Sequence, residues 1–171
     1  MVSRFLAVSI SSKITGDRIC SNGSLNIGGW SFGGTVAFEM AHILQAKNIQ
    51  IDNLILFDTV TEYSTNTGSV VEKNEIEKFG FDGELQAMLS HNSQLSDRHK
   101  LSKIYRQNLV LVKATRRGVS TKKSENFSSD NSYGWDKYAK KIVVYEVFAE
   151  HNALFDKENV SSMAIILKKI F

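Results

Sequence analysis

Three residues of this chain have the types, order and settings to do chemistry together: Ser31, Asp58 and His151. A serine hydroxyl is a weak nucleophile until a base takes its proton. An imidazole can be that base, and a carboxylate can fix its tautomer and stabilise its charged form. Ser31 sits in Gly29-Trp30-Ser31-Phe32-Gly33, a G-x-S-x-G pattern. A short apolar run at 25–27 precedes it. After it, Val36, Met40, Ile43 and Leu44 recur at steps of three and four, which predicts a helix over 32–47 with those residues on one face. Strand, sharp turn and helix form the setting in which a serine hydroxyl projects away from the backbone toward a base. The glycines allow close approach of strand and helix and tolerate positive φ. The N–H of Phe32, at the helix start, is the expected oxyanion donor. A glycine-rich turn with Ser31 as a simple N-cap would need the same letters. The flanks and the downstream partners favour the nucleophile.

Asp58 ends the run Ile51-Asp52-Asn53-Leu54-Ile55-Leu56-Phe57, whose uninterrupted apolar end suits a strand covered on both faces. An aspartate before Thr59 can simply cap a turn, but the end of a buried strand is where a catalytic carboxylate would stand. Asp52 precedes the apolar run and is the weaker candidate. Of the four histidines, His42 falls mid-helix, as a packed or surface residue. His91 and His99 fall in a charged insertion. His151 alone follows a late apolar strand, at 141–148. The carboxyl ends of parallel strands share one edge of a sheet, so Ser31, Asp58 and His151 are expected to converge there.

The elements that must position them alternate. Strands are predicted at 4–10, 25–27, 51–57, 108–114 and 141–148. Helices are predicted at 32–47 and from about Asn159, the latter burying Val160, Met163, Ala164, Leu167 and Phe171. Asn48, which tolerates a left-handed conformation, stops the first helix. A helical turn is expected at 135–138. Residues 60–107 form an insertion with two weak amphipathic helical patches, 70–90 and 97–105, whose position after Asp58 favours a lid. The pattern indicates an α/β class with a mainly parallel sheet, in a single domain over 1–171.

Composition narrows the function. A net charge of +3, with no basic stretch interleaved with aromatics, argues against nucleic acid. No His/Cys cluster has metal-ligand spacing. The longest apolar runs are too short to span a bilayer, and the opening ten residues suit a first strand better than a cleaved leader. A single cysteine, Cys20, fits a reducing, cytoplasmic setting. The chain contains no proline, for which we have no physical account.

Several segments resemble the thioesterase domains of non-ribosomal peptide synthetases and of polyketide or fatty-acid synthases, within the α/β-hydrolase superfamily. They are G-G-W-S-F-G-G-T-V-A-F-E-M-A (28–41), L-I-L-F-D-T (54–59), Y-G-W-D-K-Y (133–138) and H-N-A-L-F (151–155). The resemblance implies an α/β-hydrolase-like sheet with a helical lid at 60–107. It implies Ser31 as nucleophile, Asp58 as acid and His151 as base. The substrate would be an acyl or peptidyl thioester on the phosphopantetheine arm of a carrier protein, released by hydrolysis or cyclisation, with no cofactor of the domain's own. Two departures stand out. Only 24 residues precede Leu25, where the family has several strands and a loop giving a second oxyanion N–H, so a chain shortened at its start is expected. Ala149 and Glu150 stand where the family has a glycine. The rival expectations are a general carboxylesterase or lipase, and a non-catalytic relative that binds acyl groups or a carrier protein. The Arg116–Arg117 and Lys122–Lys123 pairs are solvated loop charges or a surface for an acidic carrier.

Overall fold

The computed structural model describes residues 4–8, 25–61, 91, 94–95, 98–116 and 131–171. Five strands form one sheet: β1 (Arg4–Val8), β2 (Leu25–Trp30), β3 (Ile51–Phe57), β4 (Tyr105–Ala114) and β5 (Ala139–Val147). Their order in space is their order in sequence, and every pair is parallel. Two helices are described, α1 (Phe32–Ala46) and α2 (Val160–Ile170), with 3-10 turns at Trp135–Lys137 and His151–Ala153.

Alternation along the strands builds a core on each face. Leu25, Ile27, Leu54, Leu56, Leu109 and Leu111 pack with Ala37, Phe38 and Ala41 of α1. Ile55, Phe57, Val110, Val112 and Val147 pack with Met163 and Ile166 of α2. Burial on both faces explains the unbroken apolar runs of β3 and β4. The edge strand β5 instead exposes Lys140, Lys141 and Glu146, charges that discourage pairing with another chain.

The α/β class and the parallel sheet are as expected, and β3 has the predicted bounds. Two helix faces are not. On α1 the buried residues are Gly33, Gly34, Thr35, Ala37, Phe38 and Ala41; of the expected face Leu44 packs against the core, while Ile43 is exposed and Val36 and Met40 are only partly covered. Small residues on this face let α1 sit close to the sheet, with Phe38 fully buried among them. A Cβ on Gly34 would lie 2.0 Å from the Thr59 hydroxyl oxygen. On α2, Met163 and Ile166 are buried, with Leu167 and Ile170 packed beside them, whereas Val160 and Phe171 are exposed. That helix carries two apolar stripes, and the sheet selects one. The expected patch at 97–105 is also corrected: residues 99–104 have no regular structure and Tyr105 already begins β4. The patch at 70–90 lies outside the described residues. Asn48 does stop α1 in the left-handed region, at φ 60°.

His42 packs edge-on against Phe38, with ring centroids 4.8 Å apart, and against Tyr105. Among the described residues its Nε2 is buried without a hydrogen-bond partner. Burial lowers its pKa; Glu39 opposes this and Lys103 adds to it.

Two outcomes are expected. Gly34→Ala forces a methyl into Thr59 and should cost about 1–3 kcal/mol, read as a lower urea midpoint. For His42, the lowered native pKa means that the unfolded chain binds more protons below about pH 6.5, so its contribution to stability falls with acidification. Chemical denaturation at about pH 7.5 and about pH 5 should therefore show a smaller acid loss for His42→Phe than for the wild type.

Candidate active site

The carboxyl ends of β2, β3 and β5 each deliver one residue to a common edge. At the end of β2 the backbone turns into α1 within one residue, so Ser31 is held at φ 54° and ψ −127°. Left-handed backbone at a non-glycine residue costs about 1–3 kcal/mol and persists only where its surroundings enforce it. Here the Ser31 N–H donates to the Phe57 carbonyl at 2.9 Å and the Ser31 carbonyl accepts from the Gly34 N–H at 2.9 Å. Gly29 is obligatory, because a Cβ there would lie 2.0 Å from the Gly33 carbonyl oxygen. The Ser31 side chain makes no capping hydrogen bond to α1, so the hydroxyl is not spent on the role a simple N-cap would give it.

Asp58 is also left-handed, at φ 46°. Its N–H donates to the Val112 carbonyl at 2.7 Å. Its Oδ1 accepts from the Ala114 N–H at 2.8 Å. The end of β4 thus pins both backbone and side chain, leaving Oδ2 to face His151 Nδ1 at 2.6 Å. A carboxylate only accepts, so Nδ1 carries the proton and Nε2 of the neutral ring is an acceptor. That Nε2 lies 3.0 Å from Ser31 Oγ. Hydroxyl, imidazole and carboxylate therefore form one continuous chain, along which the Oγ proton can move to Nε2 while Asp58 balances the charge gained.

His151 opens the 3-10 turn after β5. The turn is fastened by the Ala153 N–H to the Glu150 carbonyl at 3.0 Å, by Asn159 Nδ2 to the Ala153 carbonyl at 2.7 Å, and by buried Leu154. Ala149 is buried, and Glu150 turns to Arg116, with Oε1 3.6 Å from Nε. The other early candidates lie elsewhere. Asp52 is at the start of β3, where it accepts from Gln50. His42 packs on α1, and His99 pairs with Glu39. Phe32 is the first residue of α1, where helix N–H groups lack intrahelical partners.

Other contacts were not foreseen from the sequence. Trp135, fully buried, donates from Nε1 to the Thr59 carbonyl at 2.7 Å. Thr61 donates from N–H and hydroxyl to the Tyr133 carbonyl, and the Tyr133 hydroxyl donates to the Ala114 carbonyl at 3.3 Å. The 131–138 segment therefore clamps the loop that carries Asp58. Its left-handed Gly134 was the available signal, since a Cβ there would meet Thr61. Trp30 stacks on the His151 ring, with centroids 5.0 Å apart and planes at 27°.

A parallel sheet with a strained serine turn at the edge of β2, a following helix, and partners on later strands defines an α/β-hydrolase-like fold. The thioesterase domain family matches residues 15–147, and the chain belongs to that family. His151 lies beyond the matched stretch, so its place beside Ser31 is a finding of the tertiary structure. The chain is 41% identical to thioesterase pynI of Aspergillus niger over 51 residues, covering 30% of this chain and 18% of that protein. It is 26% identical to malpibaldin synthetase of Mortierella alpina over 166 residues, covering 87% of this chain and 3% of that protein. The solved NocB thioesterase domain, in covalent complex with a fluorophosphonate nocardicin G analogue, superposes with TM-score 0.67 at 25% identity, over 86% of this chain and 66% of that one. Human thioesterase 2, at 14% identity and TM-score 0.59 over 86% of this chain and 72% of that one, shares the fold. The chain thus spans a small part of both curated relatives and about two thirds of the NocB domain. No described helix is long and apolar enough to cross a membrane.

The clamp can be tested directly. Trp135→Phe removes one donor and leaves the buried Thr59 carbonyl unpaired, which should cost about 1–3 kcal/mol. Faster amide hydrogen exchange at Asp58 and Thr61 would locate that loss in the loop that carries Asp58.

Proposed function

We propose that this domain is a serine thioesterase that releases an acyl or peptidyl chain from the phosphopantetheine arm of a carrier protein. The observation that carries the proposal is the hydrogen-bonded chain from Ser31 Oγ through His151 to Asp58, in a member of the thioesterase family. Ser31 Oγ attacks the thioester carbonyl carbon as its proton passes to His151 Nε2. The Nδ1–H bond to Asp58 stabilises the imidazolium. The tetrahedral oxyanion rests against the N-terminus of α1, with the Phe32 N–H as donor. Collapse breaks the carbon–sulfur bond. The departing thiolate takes the proton from Nε2, and the chain is left as an ester on Ser31. Water then attacks with His151 as base and releases an acid; an internal amine or hydroxyl doing the same releases a ring. No metal or cofactor is needed for either half. The proposed setting is cytoplasmic.

The resemblance to a synthetase, malpibaldin synthetase, along most of the chain and to the NocB thioesterase domain supports a thioester held on a synthetase over a free lipid ester. Reaction with a fluorophosphonate probe, mapped by mass spectrometry, is the test. Labelling is expected at Ser31 and should vanish in Ser31→Ala. It should slow by on the order of 100- to 10,000-fold in His151→Ala. Asp58→Ala should also be strongly slowed, because the imidazole loses its orienting partner. A folded wild type that is not labelled would overturn the catalytic reading and leave a binding relative. Equal turnover of carrier-bound thioesters and simple esters would overturn the carrier assignment and favour a general esterase.

A further inference from the structure

Two side-chain hydrogen bonds hold His151, one at each ring nitrogen. Two such anchors fix where the ring sits but little resist tilting about the line between the two nitrogens. The side chain is 37% exposed, so water competes for it. A flat surface against one face would supply the missing restraint, and Trp30 supplies one, stacked at 5.0 Å and 27°. Phe155 meets the indole edge-on at 6.4 Å and is itself braced by Phe57 at 5.2 Å.

Trp30 immediately precedes Ser31, on the rigid end of β2. The indole position is therefore tied through one peptide unit to the position of Oγ. A ring stacked on Trp30 is registered to the nucleophile by the backbone itself. Nor is Trp30 a core residue displaced outward: it is 40% exposed, whereas Trp135 is fully buried. An indole face also attracts a cation, and His151 becomes one in the transition state of the reaction proposed above.

We propose that Trp30 is a positioning residue for His151: its indole face, edged by Phe155, holds the imidazole in line between Ser31 and Asp58 and favours the ring's charged form during acylation. This rests on the serine-hydrolase reading of the same site, but its signature can be read without turnover. In spectra of protein carrying ¹³C-labelled histidine, the His151 ring protons, assigned with His151→Gln, should lie upfield because of the indole ring current. Trp30→Leu should abolish that shift and lower the fluorophosphonate labelling rate by roughly 3- to 30-fold, the range that a cation–π contact spans. Trp30→Phe should restore much of both, and its aromatic ring guards against misfolding of the leucine variant. The loss in Trp30→Leu should be the same for short and long probe chains.

An unshifted His151 resonance in the wild type, or a wild-type labelling rate in Trp30→Leu, would overturn the inference and leave Ser31, Asp58 and His151 untouched. A loss that grows with probe chain length would overturn it too, making Trp30 a substrate contact. If the folded wild type is not labelled at all, the serine-hydrolase reading fails, and with it the catalytic part of this inference. The histidine spectra then decide only whether Trp30 holds the ring.

Discussion

Between β2 and α1 the chain reverses within a single residue, and it can do so only where Gly29 and Gly33 touch. A methyl group at position 29 would sit 2.0 Å from the Gly33 carbonyl oxygen. That contact fixes the angle at which α1 leaves the sheet and forces Ser31 to φ 54°. The next glycine carries the constraint onward. Gly34 leaves room for Thr59, the residue after Asp58, and Trp135 anchors the Thr59 carbonyl. The geometry of the serine turn is thus coupled to the loop that carries the carboxylate, by close packing rather than by a bond between them.

The sheet spreads this rigidity along one edge. Ser31 N–H reaches the end of β3, Asp58 N–H reaches β4, Thr115 N–H reaches the Val147 carbonyl of β5, and Arg116 N–H reaches Ala149. Each strand exit is tied to the next, so three residues far apart in sequence are fixed relative to each other. Left-handed backbone at Ser31, Asp58 and Tyr133 costs about 1–3 kcal/mol apiece. The hydrogen bonds just described, each worth about 1 kcal/mol net, and the two apolar cores offset it. Such strain collects where side chains must be aimed, and Ser31 and Asp58 are both aimed at His151.

Where the sequence misled, the cause was tertiary. Val36, Met40 and Ile43 have helical spacing and sufficient hydrophobicity, yet the sheet takes the neighbouring face, where Gly34, Ala37 and Ala41 allow close approach and Phe38 is fully buried. The spacing Val160, Met163, Ala164, Leu167 and Phe171 is a valid stripe, but Met163, Ile166, Leu167 and Ile170 make another. Periodicity identifies a helix with an apolar face. It does not say which of two overlapping faces the sheet will meet. At Leu101 and Ile104 the apolar spacing led up to a strand rather than along a helix, since Tyr105 pairs with Ala139.

The sequence by itself determined the class of the fold, the bounds of β3, the stop at Asn48, and Ser31, Asp58 and His151 as the residues to watch. These follow from local rules: apolar runs bounded by polar turns, glycines at a tight reversal, polar residues at strand ends. Only the tertiary structure decided that the three side chains lie within hydrogen-bond reach, that Oδ1 of Asp58 is taken by Ala114 so that Oδ2 is left for His151, and that Trp30 covers the imidazole. Those facts depend on strand order, register and the exit angles of three loops. They are set by packing between segments distant in sequence, which no local pattern records.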